Sequence, residues 1–417
     1  MLEISLDREQ NGSERLTTIA ADKPPLAHSS VEHRSISWRA VGAACIVAAG
    51  ICVVAGLFFT GLTEKDAANR DFIEYWAAAQ QLVHGANPYD ALQTFRLEHA
   101  AGLDGNQPKI TFSPPVEFVL ALPLGFVSAK IGLVLWLLAL LACLSLSNWM
   151  IWLLNGKPDN RVHLFGYLFA PAIACQMAGQ LGIFLLLSVL LFLRFHQSRP
   201  YIAGAALLPC ALKPHLFLPM ALVLVLWSID RKTCRVLAGF AAALIAGCAL
   251  TLYFDRQVWH QYSAMMGQTG VLHAFVPTLS VTLRFLINRN AVWLQFVPEI
   301  CACIWAMLYF RAQRRCWSWT DQGMLLLLIS ALCTPYAWFT DEAILLPVVI
   351  AALYRAIANK RSLWLFALFA GVALIEVLGV VKITSPFYLW TVPAWLIWHL
   401  YATGGRRLEV ATDVVAV

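Results

Sequence analysis

The chain has 417 residues, 60% of them hydrophobic and 13% charged, with a formal net charge of +6. A soluble domain carries about 25% charged residues, so this composition points to lipid as the solvent and excludes an ordinary water-soluble globule. The positive balance does not call for a nucleic-acid partner, because the basic residues fall in short clusters between apolar runs, where membrane topology puts them.

Met1–Trp38 is rich in charge, Ser and Thr and reads as a disordered cytoplasmic tail. Ala40–Thr60 is the first long apolar run. Cleavable leaders begin within a few residues of a chain's start, so this run is expected to be a retained anchor. Ile131–Leu154 and Leu363–Val381 (broken only by Glu376) are further runs near the roughly 20 residues that span a bilayer. Basic clusters at Arg8 to Arg39, Lys157/Arg161, Arg194/Arg199, Arg231/Lys232/Arg235, Arg311/Arg314/Arg315, Arg355/Lys360/Arg361 and Arg406/Arg407 mark cytoplasmic loops. Crossing and returning between them gives about twelve helices, at 40–61, 131–154, 163–177, 181–196, 200–212, 215–230, 235–254, 291–310, 322–335, 343–358, 363–381 and 386–403. The expected fold is therefore an all-α polytopic membrane domain over 39–404, with a second cytoplasmic tail at 405–417.

This topology leaves Gly61–Lys130, Ala178–Gln180, Lys213–His215, Asp255–Asn290, Thr334–Glu342 and Lys382–Ser385 outside. Together they hold most of the Asp, Glu, His and Pro beyond the N-terminal tail. Ionisable groups close to lipid are costly and usually mark function. The 11 Cys are scattered singly, with no disulfide framework or zinc spacing. No P-loop, dinucleotide glycine pattern, HExxH or GxSxG occurs. No cofactor or metal is expected, and a soluble nucleotide-sugar site is not supported.

The first outer loop is too long for a connector. Within DFIEYWAAAQQLVHGANPYD (Asp71–Asp90), Phe72, Tyr75, Trp76, Ala79, Leu82 and Val83 share one face at helical spacing. Gly85 in a left-handed conformation stops that helix and Pro88 prevents its resumption. The expectation is a helix of about 13 residues lying along the membrane surface, with Tyr and Trp at the interface. Asp71 opens it and Glu74 follows one turn on. By spacing alone Asp71 is either the N-cap or a general base at the mouth of a cavity. TFSPP (Thr111–Pro115) leads into a short apolar stretch to Val127, read as re-entrant or interfacial.

In MAGQLG (Met177–Gly182), Gln180 either caps a helix or hydrogen-bonds a sugar or phosphate. In LKPHL (Leu212–Leu216), Lys213 either snorkels or stabilises a phosphate leaving group, with His215 beside it. In TPYAWFTDE (Thr334–Glu342), Asp341 and Glu342 either cap the next helix or bind sugar hydroxyls and share the base role. Tyr336, Trp338 and Phe339 can stack on a sugar or sit among headgroups. His260, His273 and Arg284 are candidates for headgroup contact.

Taken in order, these five motifs resemble the family 87 glycosyltransferases, the polyprenol-phosphate-mannose-dependent α-mannosyltransferases and their bacterial relatives. The resemblance covers about Ala40 to Leu346. It implies a GT-C fold with a membrane-parallel helix in the first outer loop, a polyprenyl-phosphate sugar donor and a glycolipid or glycan acceptor. The outward clustering of the polar turns puts the expected active site on the extracytoplasmic face of the inner (plasma) membrane, among membrane lipids. The resemblance gives the base role to Asp71; Glu74, Tyr75, Gln180, Lys213, His215, Arg284, Tyr336, Asp341 and Glu342 are the substrate contacts expected from the residues themselves. Attack opposite the phosphate inverts the anomeric centre. Some family members carry a His in the turn where this chain has Asp341 and Glu342. The competing class is a transporter or lipid flippase without transferase activity. Transporters usually show repeated halves and midplane polar sites, and the sequence shows neither.

Overall fold

With lipid as solvent, backbone polar groups must find partners within the chain, and every regular element among the described residues is helical. The computed structural model describes residues 56, 58, 60–268, 274–381 and 386–404. All belong to one unit, Val53–Val417. The N-terminal tail, most of the predicted 40–61 helix, His273, the Lys382–Ser385 turn and the 405–417 tail lie outside the described residues.

The first outer loop carries its own structure. α1 (Glu64–Ala68) opens with a capping box in which the Thr63 hydroxyl accepts from the Asp66 N–H and the Asp66 carboxylate accepts from the Thr63 N–H. α2 (Phe72–Val83) is the predicted helix, and it ends where Gly85 turns left-handed at φ +71°. α3 (Ala91–Ala100) is capped by Asp90, which accepts from Leu92 N–H and Gln93 N–H. After TFSPP the chain forms a 3-10 turn at Pro115–Glu117, α4 (Phe118–Ala121) and a second 3-10 turn at Leu122–Phe126.

α2 is buried more widely than a helix with one apolar face. Phe72, Ile73, Tyr75, Trp76, Ala77, Ala78, Ala79 and Leu82 are all buried, so protein covers more than one face. The small Ala77–Ala79 side chains allow this. A Cβ on Gly125 would come within 2.6 Å of the Ala79 carbonyl oxygen, so the second 3-10 turn passes directly against the helix. Trp76 Nε1 and Gln80 Nε2 both donate to the Val127 carbonyl at 2.9 Å and fasten the exit of that turn.

α5 (Ala129–Leu154), α6 (Ala170–Ala178), α7 (Gly182–Phe195), α8 (Pro200–Ala205), α9 (Leu218–Asp230), α10 (Arg235–Phe254), α11 (Val258–Gln268) and α12 (Leu279–Ile287) follow. The chain continues through α13 (Val297–Gln313), α14 (Gln322–Cys333), α15 (Leu346–Ala358), α16 (Leu363–Val381) and α17 (Thr391–Thr403). Among the described residues, four segments are long and apolar enough to cross a membrane: Ala129–Leu154, Arg235–Phe254, Val292–Cys316 and Leu363–Val380. Several of the other predicted crossings are helical but shorter, because prolines such as Pro209 and Pro214 interrupt the α-helical ladder with 3-10 turns. Some of these pieces join end to end: Phe339–Leu345 runs directly into α15.

Close backbone approach at small residues locks the helices together. A Cβ on Gly204 would collide with the Val236 carbonyl, and one on Gly239 with the Tyr201 carbonyl, so α8 and α10 meet backbone to backbone. The same device sets the position of the polar turns.

Candidate active site

The site begins with MAGQLG. α6 ends at Gly179, whose φ of +75° is open to glycine and strained for other residues. A Cβ there would sit 2.7 Å from Phe72 Cβ, so this turn presses on the start of α2. Trp136 of α5 donates to the Gly179 carbonyl at 2.7 Å, and its ring lies 5.6 Å from that of Tyr75. On the other side of the turn, a Cβ on Gly182 would collide with the Thr340 carbonyl. The two glycines therefore bring Gln180 between α2 and the Thr334–Glu342 turn.

Gln180 serves Asp71 and caps no helix. Its Nε2 donates to Asp71 Oδ2 at 2.9 Å, and its Oε1 accepts from Tyr75 OH at 2.8 Å. Asp71 occupies the N-cap position of α2 but makes no side-chain cap hydrogen bond. Its carboxylate is turned to Gln180 instead, through Oδ2. Glu74, one turn on, lines the same cleft. Burial first, and the Asp71 charge second, push its carboxyl well above the usual carboxylate range.

Lys213 enters from the LKPHL turn and is buried. Its Nζ pairs with Asp341 Oδ1 at 2.6 Å, and Asp341 Oδ2 accepts from the Trp338 N–H at 3.0 Å. Burial pulls the Lys213 ammonium down, but Asp341 outweighs it and holds the net shift above the ordinary value. An ammonium has three donors, so the ion pair leaves two for a ligand. Burial and the neighbouring Lys213 push His215 down to about 4, so its ring is neutral. His215 Nε2 has no hydrogen-bond partner.

These groups line one cleft of about 330 Å³: Asp71, Glu74, Tyr75, Gln180, Lys213, His215 and Tyr336, with Trp338, Lys109, Phe112 and Ser113. A second hollow of about 360 Å³ meets it at Asp71 and Trp338, and is also lined by Asn69, Arg70, Met177 and Thr340. Arg70 donates to the Met177 carbonyl across that hollow.

The remaining residues expected at the site lie elsewhere. Asp341 stands behind Lys213 and is 1% exposed. Glu342 lines a separate void of about 30 Å³ and accepts from the Thr391 hydroxyl at 2.8 Å. Arg284 is fully buried away from the cleft, where it donates to Gln295 Oε1 at 2.7 Å and to the Ala274 carbonyl. It has internal partners that periodicity does not reveal. His260 does not line the cleft.

The sequence reading missed Lys109. Glu98, buried in α3, accepts the Lys109 backbone N–H on both carboxylate oxygens at 3.2 and 3.0 Å and so fixes the strand of loop that carries it. Lys109 Nζ donates to the Asn69 carbonyl at 2.9 Å and supplies a second cation to the cleft. Glu117, also missed, is buried beneath TFSPP and accepts from Thr111 at 3.0 Å. Burial pushes it up to about 7. The sequence signals were a Lys two residues before TFSPP and an acid inside an apolar stretch.

Residues 112–335, more than half of the chain, match the model of glycosyltransferase family 87. The chain belongs to that family. No curated protein and no solved structure matches it. Family 87 membership makes this a membrane glycosyltransferase, and it favours the transferase over a transporter or flippase. The matched segment is shorter than the stretch over which the motifs resemble the family. It includes Gln180, Lys213 and His215, whereas Asp71, Glu74 and Tyr75 precede it and Tyr336 lies one residue beyond.

Proposed function

We propose that this family 87 protein transfers a hexose from a polyprenyl-phosphate donor to a hydroxyl of a glycolipid or glycan acceptor on the extracytoplasmic face of the inner membrane. One observation carries the reading: Asp71 and Lys213, from turns far apart in sequence, line the same cleft. The donor phosphate lies against Lys213 and Lys109, with His215 and Glu74 as hydrogen-bond partners. The acceptor enters through the adjoining Arg70 hollow, which meets the first at Asp71.

The acceptor oxygen attacks the anomeric carbon and its proton passes to Asp71. The bond from that carbon to the phosphate oxygen breaks, and its electron pair leaves on the phosphate. Lys213 stabilises that charge as it develops. Attack opposite the phosphate inverts the centre, so a β-linked donor gives an α-linked product. Mannose as the sugar follows from the family resemblance.

Asp71→Asn tests the assignment, because the introduced amide oxygen still accepts from Gln180 and the local fold is kept. Loss of a positioned base costs about 10²–10⁴-fold. Transfer from a polyprenyl-phosphate hexose by purified protein in detergent is expected to fall by that factor. A variant with wild-type turnover removes Asp71 from the base role.

A further inference from the structure

Three helices that begin or end at the cleft meet again at their other ends. α7 leads from the Gln180 turn to His196, α9 leads from the Lys213 turn to Arg231, and α14 leads from Thr320 back to Thr334. The 14 residues of α7 put its far end roughly 21 Å from the cleft at about 1.5 Å per residue. Two adjoining hollows of about 330 and 310 Å³ lie there and share His196, Gln197, Trp317 and Trp319.

The walls are aromatic. Trp319 meets Trp227 at 6.0 Å and Trp317 at 5.5 Å, ring to ring, and His196 meets Trp227 at 6.0 Å. Trp319 is 1% exposed and Trp317 is 7% exposed, yet neither indole N–H has a hydrogen-bond partner. A buried indole N–H ordinarily finds one. The rim carries Arg194, Arg231 and Arg235. All three are exposed, and the ion pairs among the described residues involve none of them. Topology alone accounts for arginines at this end of the helices. It does not account for a hollow walled by tryptophans beneath them. Exposed apolar side chains, Tyr201, Ile202 and Ile229, flank the same helix ends.

We propose that this hollow binds the phosphate of an anionic glycerophospholipid. The Arg194, Arg231 and Arg235 guanidinium groups hold the phosphate, for which their planar fork is suited. The acyl chains lie along Tyr201, Ile202 and Ile229. That apolar flank favours a lipid over free phosphate. The site is independent of the transferase cleft and of the reading given to it.

The test uses the purified full-length chain in detergent, with lipid retention followed by native mass spectrometry. Phosphatidylglycerol is expected to be retained over phosphatidylcholine. Each basic residue near a membrane surface contributes about a fivefold affinity, so Arg231→Gln/Arg235→Gln is expected to weaken retention about 30-fold. Arg194→Gln, a single change at an exposed helix end, is expected to weaken it about fivefold and guards against misfolding of the double variant. Arg311→Gln/Arg315→Gln, basic residues outside the hollow, is expected to leave it unchanged. Unaltered retention in the Arg231/Arg235 and Arg194 variants overturns the site, as does equal loss in the Arg311/Arg315 control. Thermal protection by inorganic phosphate equal to that by phosphatidylglycerol overturns the lipid assignment.

Discussion

Replacing Asp341 with Asn leaves Lys213 buried without its counter-charge. The pair is 2.6 Å apart, with Asp341 1% and Lys213 8% exposed. Removing one member of such a pair costs about 3–5 kcal/mol, because the remaining charge stays desolvated. The amide oxygen of the variant still accepts from the Trp338 N–H, so the loss reads the ion pair and not the turn. The pH dependence has a definite sign. In the native protein Asp341 holds the Lys213 pKa above its ordinary value of 10.5, so the pair's stabilisation is complete below that pH and is lost as pH rises through the folded value. In Asp341→Asn burial dominates, the lysine pKa falls, and the alkaline limb of the pH–rate profile moves to lower pH. Unfolding of the detergent-solubilised protein at pH 7 gives the stability loss, and transfer rate against pH gives the shift. Lys213→Met/Asp341→Asn then removes the stranded charge, recovers most of the lost stability and abolishes transfer. Wild-type stability in the single variant, or no recovery in the double, refutes the argument.

Burial and the Asp71 charge favour the protonated form of Glu74, which Glu74→Gln imitates, so the variant is expected to retain transfer at pH 7. A carboxyl whose folded pKa is raised loses stability as pH rises from its ordinary value through the folded one, so the variant gains on wild type in thermal unfolding as pH rises above the ordinary carboxyl range. Gly182→Ala puts a methyl into the Thr340 carbonyl. The backbone must shift, at a cost of about 1–3 kcal/mol, and the displaced Gln180 lowers turnover in whatever protein remains folded. Gly371→Ala in α16, where a Cβ meets nothing within 4 Å, is expected to be neutral or to stabilise by up to about 1 kcal/mol in the same unfolding assay.

Much of the architecture was legible because it is local. The Asp71–Asp90 segment forms its helix and stops at Gly85 as the spacing of apolar residues and the glycine foretold. Several predicted helices, including 235–254 and 363–381, are found at their predicted bounds. The turns carrying Gln180, Lys213 and Tyr336 fall between helices as expected, and they share a cleft with Asp71. Lys109 was not legible, because its position depends on Glu98 gripping its backbone from another helix.

From the amino-acid order alone came the lipid-adapted helical class, the positions of the polar turns and the residue types suited to glycosyl transfer, since each depends on neighbours a few positions apart. Only the folded chain decided what each of those residues does with its side chain. Asp71 faces Gln180 instead of capping its helix, Lys213 is matched to Asp341, Arg284 turns inward to Gln295, and α2 is enclosed on more than one face. The Asp71 and Lys213 pairings join residues more than 100 positions apart. They are set by which backbones approach closely enough at Gly179 and Gly182 to bring those side chains together, and no periodicity in the sequence encodes that.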